Sequence, residues 1–196
     1  MRIIFQIIIV LAVGVVLGGT SAWYSIQRSH GIGAINIGIW TAWPYSGANQ
    51  ADPYTLARIT SDSTVPLGAA EGLAFETTRD DDGNFLRLEC NYILEGNTPK
   101  AKWWSLTPYR QDGKSVRAKD DDSLISYHTN STRLLRFTDG TFQIALGPIP
   151  SPGNWLATQG EGAFRLVLRL YDTPITSNTG IAIPVMPKVI NVGCPQ

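Results

Sequence analysis

The chain has 196 residues, of which 43% are hydrophobic and 16% are charged, and its formal net charge is zero. This length corresponds to one domain of ordinary size. The charge balance excludes the strongly basic surface that nucleic-acid-binding domains usually carry, and the ample apolar content excludes a disordered chain. Two cysteines and two histidines are too few for a cysteine-rich zinc module or a disulfide-dense miniprotein.

The N-terminal stretch has the composition of a membrane span. Only one residue in positions 3–19, Gln6, is polar. As a helix, residues 3–24 would be about 33 Å long at about 1.5 Å per residue, which matches a bilayer core of about 30 Å. Trp23 and Tyr24 fall where aromatic side chains favour the membrane interface.

We therefore interpret residues 1–24 as a transmembrane anchor or a signal segment. The apolar run is longer than the core of a usual signal peptide, which favours an anchor. Small residues at positions 20–22 suit a signal peptidase, so cleavage stays open. Because Arg2 and the free amino terminus precede the span, we place the chain in the inner membrane, single-pass, with its domain on the periplasmic side. The alternative is secretion to the periplasm after cleavage.

A linker and a short helix precede the β-rich part of the chain. Residues 25–50 have the pattern of an extended linker with a first strand at the alternating isoleucines of 35–39. Asp52 can cap free backbone N–H groups, and Pro53 fits the first helical position. We therefore predict a helix that begins here and ends before Pro66.

Beyond this helix the apolar pattern has a period of two, which is typical of strands with one dry and one wet face. Turn signals such as Asp82-Gly83 and Asp139-Gly140 separate these strands. Residues 51–196 are therefore predicted to form an all-β domain, a jelly-roll-like antiparallel β-sandwich with one short N-terminal helix besides the membrane span. The predicted core positions are Leu86, Leu88, Cys90, Tyr92, Leu94, Phe142, Ile144, Leu146, Phe164, Leu166, Leu168 and Leu170.

The two cysteines are expected to form a disulfide. Cys90 lies on the apolar face of its predicted strand, and Cys194 lies close to the end of the sequence. In the oxidising compartment that the membrane span implies, pairing is the usual state of two cysteines. A bond between them would close a long loop and stabilise the fold by about 4–5 kcal/mol in the chain-entropy model.

Few residues have the pattern of a catalytic or metal site. His30 follows the membrane span, and His128 lacks a Gly-x-Ser-x-Gly nucleophile elbow. The aspartate runs at 80–82 and 120–122 lack calcium-loop spacing and are interpreted as solvated loop charge. We assign no catalytic residue, no metal site and no cofactor. A glycosidase would need two facing carboxylates, for which the candidates on or near strands are Glu71, Glu76 and Glu89.

Aromatic and arginine side chains are the best candidates for contacts with a ligand or a partner. Trp103 and Trp104 are neighbours on a predicted strand, so their side chains point to opposite faces of the sheet. One of them packs in the core and the other faces outward. An outward tryptophan can stack on a sugar or contact a protein. On the polar face of one strand, Arg165, Arg169 and Tyr171 could bind an anion or simply be solvated. The predicted contact residues are Trp43, Trp104, Tyr109, Arg110, Trp155 and Arg169.

Several segments have the motifs of a known family. They are Lys102-Trp103-Trp104-Ser105-Leu106-Thr107-Pro108-Tyr109, Asp112-Gly113, Asp139-Gly140-Thr141-Phe142-Gln143-Ile144, Gly153-Asn154-Trp155-Leu156, the strand 164–171, Ala51-Asp52-Pro53-Tyr54 and the segment 66–72. Together they resemble the family called domain of unknown function 1214, in its short, membrane-anchored branch. The resemblance implies a jelly-roll β-sandwich that usually follows a companion module, domain of unknown function 1254, in longer proteins. It implies no established catalytic residue.

Two functions follow from these observations as hypotheses. The first is a binding or assembly module of the bacterial cell envelope, held by its N-terminal helix and paired with a separate companion envelope protein. The second is an envelope hydrolase acting on a glycan or an ester, although no recognisable catalytic set favours it. A purely structural lid on a neighbouring chain would require a large exposed apolar patch.

Overall fold

An apolar helix precedes two β-sheets. The computed structural model describes residues 2–28, 33–47, 51, 53–61, 66–68, 71–116, 125–176 and 184–194. Helix α1, Arg2–Arg28, contains a stretch, Arg2–Tyr24, that is long and apolar enough to cross a membrane. None of that stretch is buried against the described residues. A helix without a polar face needs an apolar environment, which lipid supplies to a membrane helix. An N-terminal signal sequence has the same properties.

A hairpin and a short helix follow α1. Strands β1 (Ile35–Ile37) and β2 (Trp40–Ala42) pair antiparallel across a turn in which Gly38 has a positive φ of 59°. Trp40 is 1% exposed, so the core already draws on residues before position 51. Helix α2, Pro53–Ser61, begins at the predicted proline. The predicted capping residue, Asp52, lies outside the described residues.

The other strands complete the two sheets. They are β3 (Gly72–Thr77), β4 (Asn91–Gly96), β5 (Trp103–Arg110), β6 (Thr129–Asn130), β7 (Phe142–Gly147), β8 (Asn154–Ala157), β9 (Phe164–Tyr171) and β10 (Lys188–Gly193). One sheet has the order β1-β2-β3-β9-β5-β6, and the other has the order β10-β4-β7-β8. All neighbouring strands are antiparallel except β7 and β8.

The parallel pair β7–β8 departs from the predicted antiparallel sandwich. Residues 148–153 connect these strands and include Pro148, Pro150 and Pro152. Proline fixes φ and has no N–H to donate, so these alternate prolines cannot continue the strand ladder. The chain instead returns to the level of Ile144, where β8 pairs parallel to β7.

Buried apolar side chains of both sheets form one cluster, so the domain is an all-β sandwich as predicted. Two aromatic pairs bridge the sheets. The ring centroids of Tyr92 and Phe164 lie 6.1 Å apart, and those of Trp104 and Phe142 lie 5.7 Å apart. All the core positions named from the alternating pattern are buried.

The segment before β4 is buried but is not a regular strand, which corrects its predicted extent. Residues 88–90 form a turn in which the Cys90 N–H donates to the Arg87 carbonyl oxygen at 3.2 Å. The Arg87 N–H donates to the hydroxyl of Tyr92 at 2.9 Å. Leu86 and Leu88 are nevertheless buried in the core, although they do not belong to a regular strand.

A disulfide joins Cys90 to Cys194, 104 residues further along the chain. Cys90 is 1% exposed, at the start of β4, whereas Cys194 is exposed and directly follows β10. The bond therefore fastens the end of β10 to the strand beside which it lies.

Candidate functional site

The outer face of the six-stranded sheet, turned away from the core, carries the side chains that alternate with the core positions. The register places Glu76 beside Val167 and Tyr109 beside Arg165. The interpretation of this face as solvated is wrong for Arg165 and Val167, which are 8% and 3% exposed. Segments outside the sheet pack over part of this face, which the alternation of one strand cannot reveal.

An ion pair occupies the covered part of this face. Nη1 of Arg165 lies 3.7 Å from Oε2 of Glu76, and the two side chains are 10% and 21% exposed. Removing one partner of a buried pair leaves the other charge desolvated, which costs about 3–5 kcal/mol. The glutamate therefore compensates the charge of Arg165.

Arg169 is held differently. Its Nη1 donates to the hydroxyl oxygen of Tyr109 at 3.2 Å, and its guanidinium carbon lies 5.3 Å from the centre of that ring. Contact with an aromatic ring attracts a guanidinium but does not neutralise it. Within the part of the chain that the structure describes, Arg169 forms no ion pair with a carboxylate. Its positive charge is half-buried, and none of the described carboxylates lies within ion-pair distance of it.

Arg169 and Glu76 both line a small cleft, which we call the Arg169 cleft. Its volume is about 40 Å³. The sheet supplies its polar residues, and Ser46 adds a hydroxyl at the edge. Its apolar walls come from the segments around β2 and α2, namely Trp43, Ile59, Pro66 and Leu67. The arrangement can hold a small charged group beside an apolar surface.

Three of the predicted contact residues meet at this cleft. Trp43, 9% exposed, and Arg169 line it, and Tyr109 orients the guanidinium of Arg169. They come from the segment after β2, from β5 and from β9. The sequence pattern identified each of these residues separately. Their proximity depends on the order of the strands in the sheet, which the pattern does not specify.

The other predicted contact residues lie elsewhere. Trp104 is 3% exposed and packs in the core, so its prediction as a surface contact is corrected: Trp103 is the outward tryptophan, 5.0 Å from the ring of Tyr171. Arg110 donates to the carbonyl oxygen of Gln159 at 2.8 Å and ties β5 to that loop.

Trp155, on the edge strand β8, packs partly against the core cluster, and its indole N–H donates to the Gly147 carbonyl oxygen at 3.2 Å. In register, it ends an apolar row that crosses the outer face of the four-stranded sheet from strand to strand, in the order Ile190, Ile93, Ala145 and Trp155. Ile190 is 36% exposed and the other three are half-buried. Sequence reasoning missed this row. In β10, the neighbouring apolar residues Val189 and Ile190 must face opposite sides of the sheet, and Val189 is the buried one. Which residues of β4 and β7 lie beside Ile190 depends on the strand register, which the sequence does not show.

A hollow of about 350 Å³ borders the apolar row. Phe137 and Val185 line it and are 59% and 70% exposed. Lys188 and Glu95, which pair across β10 and β4, also line it. The row and the hollow together form an apolar surface with a polar edge, which we call the docking face.

Two of the three carboxylates that could serve a hydrolase, Glu76 and Glu89, have structural partners, whereas Glu71 is exposed directly before β3. Glu76 is paired with Arg165, as described above. Desolvation raises the pKa of Glu89, but hydrogen bonds from backbone N–H groups and from Arg87 outweigh it and hold this pKa below its usual value. The Gly162 N–H donates to Glu89 at 3.0 Å.

Two of the residues that the sequence offered for metal binding or nucleophilic catalysis, Asp80 and His128, lie in described segments. Asp80 is fully buried and its Oδ1 accepts the Asn84 N–H at 2.8 Å, so the interpretation of this run as solvated charge is wrong at Asp80. His128 is exposed. His30 and the run at 120–122 lie outside the described residues. Among the residues that are described, no three His, Cys, Asp or Glu side chains form a possible metal site.

Comparisons with known proteins place the fold. The chain is similar to the crystal structure of the VPA0106 protein from Vibrio parahaemolyticus, with a TM-score of 0.58 and 18% identity, over 93% of this chain and 44% of that one. It also matches a putative uncharacterized protein from Burkholderia cenocepacia, with a TM-score of 0.44 and 13% identity, over 92% of this chain and 52% of that one.

The chain thus spans about half the length of these similar structures. No curated protein matches its sequence significantly. Residues 71–175 match the sequence profile of the family described as "Protein of unknown function (DUF1214)". This match covers strands β3 to β9 and the segments between Lys102 and Tyr171 that carried the resemblance, whereas Ala51-Asp52-Pro53-Tyr54 and most of the segment 66–72 precede it. The chain belongs to the DUF1214 family.

Proposed function

We propose that this chain is a binding module of the bacterial cell envelope, anchored in the inner membrane by α1 with its sandwich on the periplasmic side. The exposed apolar helix supports the anchor, since no part of Arg2–Tyr24 is buried against the described residues. The Cys90–Cys194 disulfide supports the compartment, because disulfides persist where thiols are oxidised.

The docking face is the single observation that carries the binding role. Its apolar row runs across all four strands, and exposed Phe137 and Val185 lie in the neighbouring hollow, which Lys188, Glu95 and Gln143 also line. A soluble domain gains nothing from exposing contiguous apolar side chains, and such patches commonly mark protein contacts. Trp155 is the kind of residue that anchors an interface.

The occupant is a separate companion envelope protein. The similar Vibrio structure has the same sandwich in a chain of which this one covers 44%. Such a chain carries its additional part covalently, whereas this chain would recruit a separate protein in its place. Burial of apolar area supplies the affinity. Lys188 and Glu95, at the polar edge, orient the partner on the docking face and add little to the affinity.

Cross-linking in intact membranes tests the docking face. The full chain carries an affinity tag and is compared with Ile93→Lys, which places a charge in the apolar row. Gln111→Lys, an exposed turn residue after β5, is the matched control. We expect one envelope protein to cross-link to the wild type and to the control and to be lost with Ile93→Lys.

Two results would contradict the proposal: an unchanged product with Ile93→Lys, or no product with the wild type. Formation of the Cys90–Cys194 bond, seen on a non-reducing gel, reports whether each variant has folded.

Protease treatment of spheroplasts tests the compartment separately. A tag after residue 196 should be removed by external protease while the inner membrane is intact. A tag that becomes accessible only after lysis would place the domain in the cytoplasm and refute the periplasmic assignment.

A further inference from the structure

We infer that the Arg169 cleft is a binding site for the carboxylate of a small organic acid. The cleft lies on the six-stranded sheet, whereas the docking face lies on the other sheet, so this inference goes beyond the proposed function and does not depend on it. It rests on the charge, the size and the walls of the cleft.

The charged residues at the cleft favour the binding of a group with one negative charge. Arg165 and Glu76 neutralise each other at 3.7 Å, whereas Arg169 donates to the neutral hydroxyl of Tyr109 at 3.2 Å and forms no ion pair with a carboxylate of the described residues. A half-buried charge is costly unless it is paired and hydrogen-bonded. An incoming anion would supply the missing partner, and a guanidinium can grip a carboxylate with two parallel hydrogen bonds.

The charge balance favours a monoanion over a dianion. One uncompensated guanidinium matches one negative charge. The carboxylate of Glu76 lines the same cleft and would repel a second negative charge, even though Arg165 partly screens it. A carboxylate therefore fits better than a doubly ionised phosphate.

The size and walls of the cleft define the rest of the ligand. A volume of 40 Å³ is room for on the order of three water molecules, which suits a carboxylate but not a sugar ring. Trp43, Pro66 and Leu67 form apolar walls beside the charged group. The body of the acid should therefore be short and apolar and should lie against these side chains.

Tyr109 acts as a positioning residue for this site. Its ring and hydroxyl fix the guanidinium of Arg169 before any ligand arrives. A pre-positioned guanidinium loses less side-chain freedom on binding, which preserves affinity. Replacing Tyr109 by phenylalanine would keep the ring contact and remove the hydrogen bond.

Titration of the full chain in detergent micelles with butyrate tests the inference. The readout is the chemical shift of the Trp43 indole N–H, assigned by Trp43→Phe. We expect a saturable shift with butyrate, and binding of butyramide, the neutral analogue, that is weaker by about tenfold or more. Inorganic phosphate should bind more weakly than butyrate.

Two charge-removing variants separate the site from the general surface charge. Arg169→Gln should weaken butyrate binding by about tenfold or more, since it removes the charged hydrogen bonds. Lys102→Gln removes an equal charge from an exposed side chain and should leave the affinity unchanged. Tyr109→Phe should weaken binding by less than Arg169→Gln and serves if that variant does not fold.

Equal binding of butyrate and butyramide, or no butyrate shift in the wild type, would overturn the inference. An unchanged affinity in both Arg169→Gln and Tyr109→Phe would do the same. Tighter binding of phosphate than of butyrate would refute the carboxylate assignment. None of these results bears on the cross-linking outcome at the docking face.

Discussion

Replacing Cys194 by serine isolates the contribution of the disulfide to stability. Cys194 is exposed, so the change removes no core packing, and the buried sulfur of Cys90 stays in place. The bond spans 104 residues, for which loop-closure entropy in the unfolded chain gives a loss of about 4.7 kcal/mol. This equals a large part of the total stability of an ordinary domain, which is about 5–15 kcal/mol.

The assay is equilibrium unfolding of the full chain in urea, followed by tryptophan fluorescence. Oxidised wild type should unfold at a clearly higher urea concentration than Cys194→Ser, and reductant should lower the wild-type midpoint to that of the variant. Reductant should leave the variant unchanged. A difference below about 1 kcal/mol between oxidised wild type and variant would refute the loop-entropy reasoning.

Three further predictions concern the core, a close strand contact and a turn. Leu166→Ala, at a fully buried position, should cost about 2–5 kcal/mol in urea unfolding. Gly72→Ala should destabilise the fold by about 1–3 kcal/mol or more, measured in the same way, because an added Cβ would lie 2.0 Å from the Leu170 carbonyl oxygen. Hydrogen bonds from Thr141 hold the pKa of Asp139 below its ordinary value of about 3.9, so its stabilising contribution is lost as pH falls through the folded-state pKa. Asp139→Asn should therefore flatten the acid limb of the stability profile, measured as urea midpoints between about pH 2 and 5.

The core was predictable from the sequence because burial on one face of a strand leaves a period of two in the residue types. Phe142 and Ile144 are buried on either side of exposed Gln143 for this reason, and all the named core positions are buried. The parallel pairing of β7 with β8 was not predictable. It depends on where the chain goes after Pro148, and local patterns do not encode that path.

The candidate site was predictable only in part. Alternation placed Trp103 and Trp104 on opposite faces, but only the packing of Trp104 on Phe142 of the other sheet decides which of them is inside. Arg169 and Tyr109 could be named as polar candidates. Their hydrogen bond depends on the pairing of β5 with β9, which lie far apart along the chain.

The position of β10 has a consequence for how the protein is made. This strand pairs with β4, and its neighbour Cys194 bonds to Cys90. During synthesis, β4 therefore lacks this partner until about a hundred further residues have been translated. Such delayed pairing leaves an unpaired strand edge exposed to aggregation and slows folding. We therefore expect the nascent polypeptide to be most prone to aggregation before β10 has been synthesised.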